Sequence, residues 1–446
     1  MRLAFPAPLL DEFRSSMLVD ERETCAMFMV ATSRPGRALV VSGELAPGSA
    51  YRTRTSVAAE LSPEYLVDVT SRARRAGLGL VFAHSHPGPA ATPLFSSIDD
   101  EGETPLAAFM RTRQPGQDHF ALVVAPGGLR ARRLGGGPEV RVESVGRVIS
   151  IESDPSGTGA RDTVAIYDRQ VRAFGAAGQR LIGETTVAIV GLGGTGSVVA
   201  QMLAHLGVER FLLVDPDRLE TTNLNRVVGA TVADVDSPKV EICAALLRSI
   251  RHGAQVDTRA ADVTFESTAA LLTHVDFIFG CTDSHSSRAV ISQVAYQHLI
   301  PAIDMGVGIA VSDRRVSSIT GRVQALAPGL GCLACSGMLD GQVIRREMMN
   351  EEQRTADPYF TGGQGEPQPA VISVNSTVAS LAVTMFLSMV TGNGAQARYQ
   401  SYNGIHGTVR HAVANPAPNC LVCSRAGALG RGAAYRLPVR PDVVLS

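Results

Sequence analysis

The chain has 446 residues, 45% of them hydrophobic, which is too long for one domain of roughly 150 residues and rich enough for two or three packed cores. Its 41 Lys and Arg nearly balance its 42 Asp and Glu, so no electrostatic footprint for nucleic acid or an anionic membrane is present. Recognition must come from shape and local chemistry.

The opening stretch "MRLAFPAPLLDEF" has one early cation, but its apolar part is short, broken by prolines and soon acidic, which argues against a signal peptide. "CAMFMVAT", "RALVVSG", "LGLVFAHSH" and "FALVVAP" each read as strands, and "SPEYLVDVTSRARRAG" between them as a helix capped by Ser62 and Pro63. The third strand runs into His84, Ser85, His86 and Pro87. Residues i and i+2 of a strand share a face, so His84 and His86 offer both imidazoles to one point, and Pro87 ends the strand. Two such histidines and a carboxylate, Asp99, are the ligand set of a catalytic zinc, which takes three protein groups and keeps a fourth position for water. The competing reading, a half-buried strand with two hydrogen-bonded imidazoles, does not account for Pro87, Ser96 and Asp99 following in order.

That ordered set, "HSHPGPAATPLFSSID", resembles the JAB/MPN (JAMM) family of zinc isopeptidases, whose motif is an upstream Glu, His-x-His-Pro and Ser-x-x-Asp. The resemblance implies an α/β zinc hydrolase domain over residues 1–150, with zinc held by His84, His86 and Asp99 and with Ser96 bonding the oxyanion or the zinc water. "LFSSID" favours Ser96 and Asp99 over the alternative register, Ser97 and Asp100. The family's glutamate is Glu23, at the head of "RETCAMFMV", or Glu44 in "VSGEL", with Glu23 preferred. Its role would be general base: zinc lowers the pKa of bound water to about 7, and the carboxylate takes that proton and returns it to the leaving amine.

Residues 151–162, "IESDPSGTGARD", lack an apolar period and read as a linker. After them, "TTVAIVGLGGTGS", "VVAQMLAHLG" and "RFLLVDPD" give strand, glycine turn, helix and strand. Gly191, Gly193 and Gly196 satisfy G-x-G-x-x-G, with Gly194 inside the same turn. Such glycines let main chain approach a phosphate at a helix N-terminus, and Asp215, ending the next strand, suits a ribose hydroxyl. Taken alone, this fingerprint would suggest NAD.

"YDRQVRAFGAAGQRLI", "DPDRLETTNLNRVVG", "DSPKVE" and "GCTDSHSSR" point elsewhere. Together they resemble the ubiquitin-activating enzyme family in its ThiF/MoeB branch, which adenylates the C-terminal glycine of ubiquitin-like proteins. The resemblance implies ATP and Mg2+, with Asp215 on the ribose and Asp217, Asn223, Arg226 and Lys239 completing the nucleotide site. It also implies Asp283 on magnesium and Arg169 reaching the phosphates from the second subunit of a homodimer. Acyl adenylation suits this set, because the barrier is largely charge on phosphate oxygens that Arg, Lys and magnesium neutralise in place.

Seven cysteines, four of them in two C-x-x-C pairs, argue for metal in a reducing compartment rather than a disulfide framework. Cys332, Cys335, Cys420 and Cys423 read as a four-thiolate structural zinc with no open position. The crossover stretch "MLDGQVIRREMMNEEQRTADPYFTGGQGEPQP", where thioester-forming activators carry a nucleophile, has no cysteine; Cys243 and Cys281 read as packing residues. "VISVNSTVASLAVTMFLSMV" has the length of a membrane span, but Asn375 and several hydroxyls favour a buried helix, and the protein is expected to be cytoplasmic.

The expected fold class is therefore α/β: the N-terminal JAB/MPN-type domain, then a Rossmann-like doubly wound ThiF-type domain at 163–430 with a structural zinc, then a tail at 431–446. The expected function is ATP-dependent adenylation of the terminal glycine of a ubiquitin-like or sulfur-carrier protein, plus zinc-dependent trimming or removal of that modifier. A conjugating enzyme or a sulfur donor would be a further partner, in antiphage defence or in sulfur transfer. The alternatives are a non-catalytic, modifier-binding JAB domain and a sulfur-carrier activating enzyme.

Overall fold

The chain opens with two elements that the hydrophobic pattern did not single out, β1 (Arg2–Pro6) and α1 (Ala7–Met17). They precede β2 (Cys25–Arg34), β3 (Arg37–Leu45), β4 (Tyr51–Arg54), β5 (Ala59–Leu61), α2 (Pro63–Arg75) and β6 (Gly79–Ser85). Then follow α3 (Ser97–Arg113), β7 (Phe120–Ala125), β8 (Gly128–Arg133), β9 (Glu139–Val145) and β10 (Ile149–Ser153). This is a computed structural model; it describes all residues except 89–90, 92, 157–164, 351–352, 354–368, 393 and 443–446.

These strands form one sheet in the order β1-β3-β2-β6-β7-β8-β9-β10, and a parallel pairing of β1 with β9 closes it on itself. The side-chain alternation of β2 explains its two cores. Phe28 points to one, with Phe5 and with Phe13 of α1, while Met27 points to the other, with Val69 and Ala73 of α2 and Met110 of α3. Ser62 caps α2 by accepting from Tyr65 N at 3.3 Å, Pro63 opens it, and Arg72, Arg74 and Arg75 fill its last turn, where the helix dipole favours cations.

The second set comprises α4 (Asp168–Glu184), β11 (Thr186–Val190), α5 (Gly196–Leu206), β12 (Arg210–Val214), α6 (Lys239–Ile250), β13 (Gln255–Arg259), α7 (Glu266–Leu271) and β14 (Phe277–Gly280). It continues with α8 (His285–Gln297), β15 (Ala302–Ser312), β16 (Arg315–Leu326), α9 (Gly341–Met348), α10 (Ile372–Thr391), β17 (Tyr399–Asn403) and β18 (Thr408–His411). Its sheet has the order β13-β12-β11-β14-β15-β16-β17-β18. Pairing is parallel from β13 to β15 and antiparallel from β15 to β18. Because β11 has β12 on one side and β14 on the other, its carboxyl end is a topological switch point, where open α/β sheets bind ligands.

Helix α10 meets the length and composition of a membrane span, but half of its most apolar window is buried. Phe386 packs edge-on against Phe277 of β14 with ring centres 4.9 Å apart. A core helix is the reading these contacts support.

The chain divides into two units: Met1–Ala160 with Gln297–Leu299 and Ser424–Arg436, and Arg161–Tyr296 with Ile300–Cys423 and Leu437–Ser446. This differs from the expected boundaries. Ile149 and Ile151 pair with β9, so β10 carries the first unit into the expected linker, and Ser424–Arg436 fall in the first unit because their contacts lie there. Residues 157–162 of the linker lie outside the described residues.

Candidate functional site

In the first unit, β6 ends at Ser85, one residue short of His86. His86 N still donates to Val124 O of β7 at 2.8 Å, which continues the register for one more residue. The rings converge nonetheless, with the two Nε2 atoms 3.2 Å apart.

Asp99 reaches them from α3. Ser96 is the N-cap of that helix and Asp99 its third residue, and the two form a capping box, Ser96 N donating to Asp99 Oδ2 at 2.6 Å and Asp99 N to Ser96 Oγ at 3.3 Å. The Ser96 hydroxyl also donates to Oδ2, at 2.8 Å, and the other oxygen, Oδ1, lies 3.0 Å from His84 Nε2. The Ser-x-x-Asp spacing thus has a local cause, a helix cap, and the cap aims one carboxylate oxygen at the histidines. In the alternative register, Asp100 is committed to Arg132 at 2.7 Å.

Glu23 lies just before β2 and is 7% exposed; its Oε1 is 4.0 Å from His86 Nε2. The Cys25–His84 pairing of β2 with β6 puts it there. Glu44 is elsewhere engaged, accepting from Arg72 Nη1 at 2.8 Å and from the Tyr65 hydroxyl at 3.0 Å. Of the two glutamates, Glu23 is the one beside the histidines. Burial raises its pKa, opposed by the His84 charge and reinforced by that of Asp99. Burial also acts to raise Asp99, but the His84 bond and the Ser96 donors win and hold it below the usual carboxylate range.

One donor atom from each of His84, His86 and Asp99 lies within 4.8 Å of the others. Ligands about 2.0–2.2 Å from a zinc would stand at such spacings, so this set fits the ion. Beside it opens a cavity of about 840 Å³ lined by Glu23, His84 and Asp99 and by apolar groups including Met27, Leu66, Phe82 and Phe109.

In the second unit the glycine turn follows β11. Gly191 has φ +90°, and a Cβ there would stand 2.7 Å from Cys281 O; one on Gly196 would stand 1.8 Å from Gly191 O. At Gly193 a Cβ would meet nothing within 4 Å. The turn is therefore tight beneath and open above, a cradle that suits a phosphate at the start of α5.

Asp215 is buried at the end of β12, its Oδ2 accepting from Leu192 N of the turn at 2.5 Å and its Oδ1 from Asp217 N at 2.8 Å. A carboxylate has about four acceptor positions, so a ribose hydroxyl would use those remaining. Burial raises its pKa against these two donors and Lys239. Lys239 Nζ ion-pairs with Asp217 at 2.8 Å. Asn223 is buried, its Oδ1 accepting from Glu220 N at 3.3 Å, and Arg226 Nη1 donates to Thr222 O at 2.7 Å.

A Cβ on Gly194 would stand 3.3 Å from Arg226 Cδ, which places that arginine's stem against the turn. Asp283 is exposed two residues past Cys281, and Arg169 is exposed on α4. Cys243 is buried, and Cys281 lies 3.9 Å from Met305 Sδ. Burial pushes the Cys243 thiol up to about 12 and the Cys281 thiol upward, which is poor chemistry for a nucleophile.

Cys332, Cys335, Cys420 and Cys423 converge, with Sγ atoms 3.5 to 3.7 Å apart along three of their edges. Thiolates 2.3 Å from a tetrahedral zinc stand about 3.8 Å from each other, so the cluster fits a closed site.

Three contributors escaped sequence reasoning. Arg54 of β4 grips the Glu23 main chain. Glu347 of α9 accepts from Ser284 Oγ at 2.8 Å and Ser286 N at 2.6 Å at the start of α8. Asn375 of α10 lies against Gly194. Only Asn375 carried a signal, a lone amide in an apolar helix. The expected crossover segment is described only at Met338–Asn350, Gln353 and Pro369; the rest lies outside the described residues.

The chain is 27% identical over 252 residues to ubiquitin-like modifier-activating enzyme 5 of Drosophila willistoni, covering 54% of this chain and 57% of that protein. To the enzyme of the same name from Arabidopsis thaliana it is 26% identical over 262 residues, covering 54% and 55%. The chain thus spans a little over half the length of these relatives. Among solved structures, E. coli MccB with ATP is similar at TM-score 0.46 and 18% identity, covering 59% of this chain and 75% of that one. The ThiF family pattern matches residues 167–422, more than half of the chain, and the protein belongs to the ThiF family.

Proposed function

We propose that the chain is a two-site enzyme acting on the C-terminal end of a ubiquitin-like or sulfur-carrier protein. The ThiF unit adenylates the terminal glycine carboxylate with ATP, and the first unit, a JAB/MPN-type zinc peptidase, trims or removes the modifier. Family membership and relatives that activate a ubiquitin-like modifier by name support the first half. The convergence of His84, His86, Asp99 and Glu23 carries the second.

In adenylation, the turn from Gly191 to Gly196 and the start of α5 receive phosphate, Asp215 accepts from the ribose, and Lys239 and Arg226 neutralise charge on phosphate oxygens. Asp217 holds the Lys239 ammonium at 2.8 Å, and Asn223 braces the segment that carries Arg226. Asp283 would hold Mg2+, and Arg169, exposed on α4, would serve the phosphates of a second copy in a homodimer. The Cys332, Cys335, Cys420 and Cys423 zinc is structural.

In cleavage, zinc held by His84, His86 and Asp99 would supply a water acidic enough to ionise near neutrality. Glu23 takes a proton in a pocket that shields it and returns it to the departing amine. Ser96 holds Asp99 in place through its hydroxyl and amide.

Two assays test the proposal. ATP–pyrophosphate exchange driven by a modifier ending in glycine should require Asp283, and zinc-dependent cleavage of modifier fusions should be abolished by Glu23→Gln. Exchange without any cleavage would leave the first unit as a modifier-binding module, and absence of exchange would overturn the adenylation half.

A further inference from the structure

We infer that Asn375 is a binding residue of the glycine-turn site, its carboxamide donating to the oxyanion that the turn receives. The inference rests on the adenylation reading above. Asn375 is 5% exposed, in the first turn of a helix that is otherwise apolar or hydroxylated. Polar groups buried to this degree are almost always hydrogen-bonded. Its carboxamide is not among the fully buried, unpaired groups of the described residues, so its amide edge keeps access to solvent and to a ligand.

Its position says what that edge faces. A Cβ on Gly194 would stand 2.1 Å from Asn375 Nδ2 and 3.3 Å from Arg226 Cδ, so the bare α-carbon of Gly194 makes room for the amide between the turn and the arginine. The neighbouring Gly193 faces open space. An amide offers two N–H donors without adding charge. Beside the glycine turn and the stem of Arg226, the group that suits such a donor is an oxyanion, either a phosphate oxygen of the nucleotide or the carboxylate of the acyl substrate.

The test uses the full chain, with folding of each variant checked by thermal melting. Binding of Mg·ATP and of adenosine is measured by calorimetry for wild type, Asn375→Ala and Asn375→Asp. Loss of a hydrogen bond to a charged group weakens binding about tenfold or more. A phosphate contact predicts that loss for ATP in Asn375→Ala, a larger one in Asn375→Asp, and unchanged adenosine binding. A carboxylate contact predicts unchanged ATP binding, with the loss appearing in the KM of a peptide ending in Gly-Gly that drives pyrophosphate exchange. ATP and peptide parameters within twofold of wild type in both variants overturn the assignment while leaving adenylation intact. A wild-type chain that binds no Mg·ATP overturns both.

Discussion

Arg54 holds Glu23 by its main chain, donating from Nε to the Glu23 carbonyl oxygen at 2.9 Å and from Nη2 to Thr24 Oγ1 at 2.7 Å. Glu23 N donates to Thr55 O at 2.7 Å, and Cys25 N to the Tyr51 hydroxyl at 2.8 Å. One short hairpin therefore fixes the segment from Glu23 to Cys25, and its residues Arg52, Thr53 and Ala59 line the adjoining cavity. Replacing Arg54 with Ala should lower the cleavage kcat about tenfold, roughly 1.4 kcal/mol, with KM and zinc content little changed. Steady-state kinetics with metal analysis checks this; a pure KM effect would show that Arg54 serves docking and does not position Glu23.

The glycine turn separates fold from ligand binding. Gly196→Ala puts a methyl 1.8 Å from Gly191 O, so main chain must move, and a loss of about 1–3 kcal/mol is expected. Gly193→Ala meets nothing within 4 Å and should melt like wild type, yet it fills space over the turn and weakens ATP binding. Thermal melts beside ATP titrations distinguish the two, and equal destabilisation would refute the distinction.

Cys335→Ser should release one zinc equivalent and destabilise the second unit, because a closed thiolate site couples metal binding to folding. His84→Ala should release a different equivalent with a smaller change in melting temperature, since an open catalytic site carries less of the fold. Metal analysis across the pair reads this directly; loss of the same equivalent in both variants would contradict two independent sites.

His119 supplies a pH dependence. Its Nδ1 accepts from Leu80 N at 3.2 Å, its Nε2 has no partner among the described residues, and burial depresses its pKa, opposed by the nearby Gln114 main chain and the Asp118 charge. The folded chain therefore keeps the ring neutral where the unfolded chain binds a proton. This contribution to stability is complete above the unfolded pKa of about 6.5 and is lost as the pH falls below it. His119→Asn keeps an acceptor and cannot titrate. Its melting temperature should decline less than that of wild type between pH 7 and 5, and parallel declines would refute the assignment.

What the sequence by itself determined was whatever is encoded over a few residues. The glycine turn and the two C-x-x-C knuckles are legible because backbone sterics and ligand spacing act locally; the His84–His86 and Ser96–Asp99 pairs are legible through the short ordered motif they resemble, and the helix cap behind Ser96 and Asp99 only in the structure. Tertiary structure decided what depends on register and closure. The sequence preferred Glu23 to Glu44 without separating their surroundings; β2 pairing with β6 carries Glu23 to the histidines while Arg72 and Tyr65 occupy Glu44. The role of β1 exists only because it closes the sheet on β9, and Asn375 meets Gly194 across 181 positions of chain. Such contacts arise from the packing of distant elements, whose partners no short window of sequence can name.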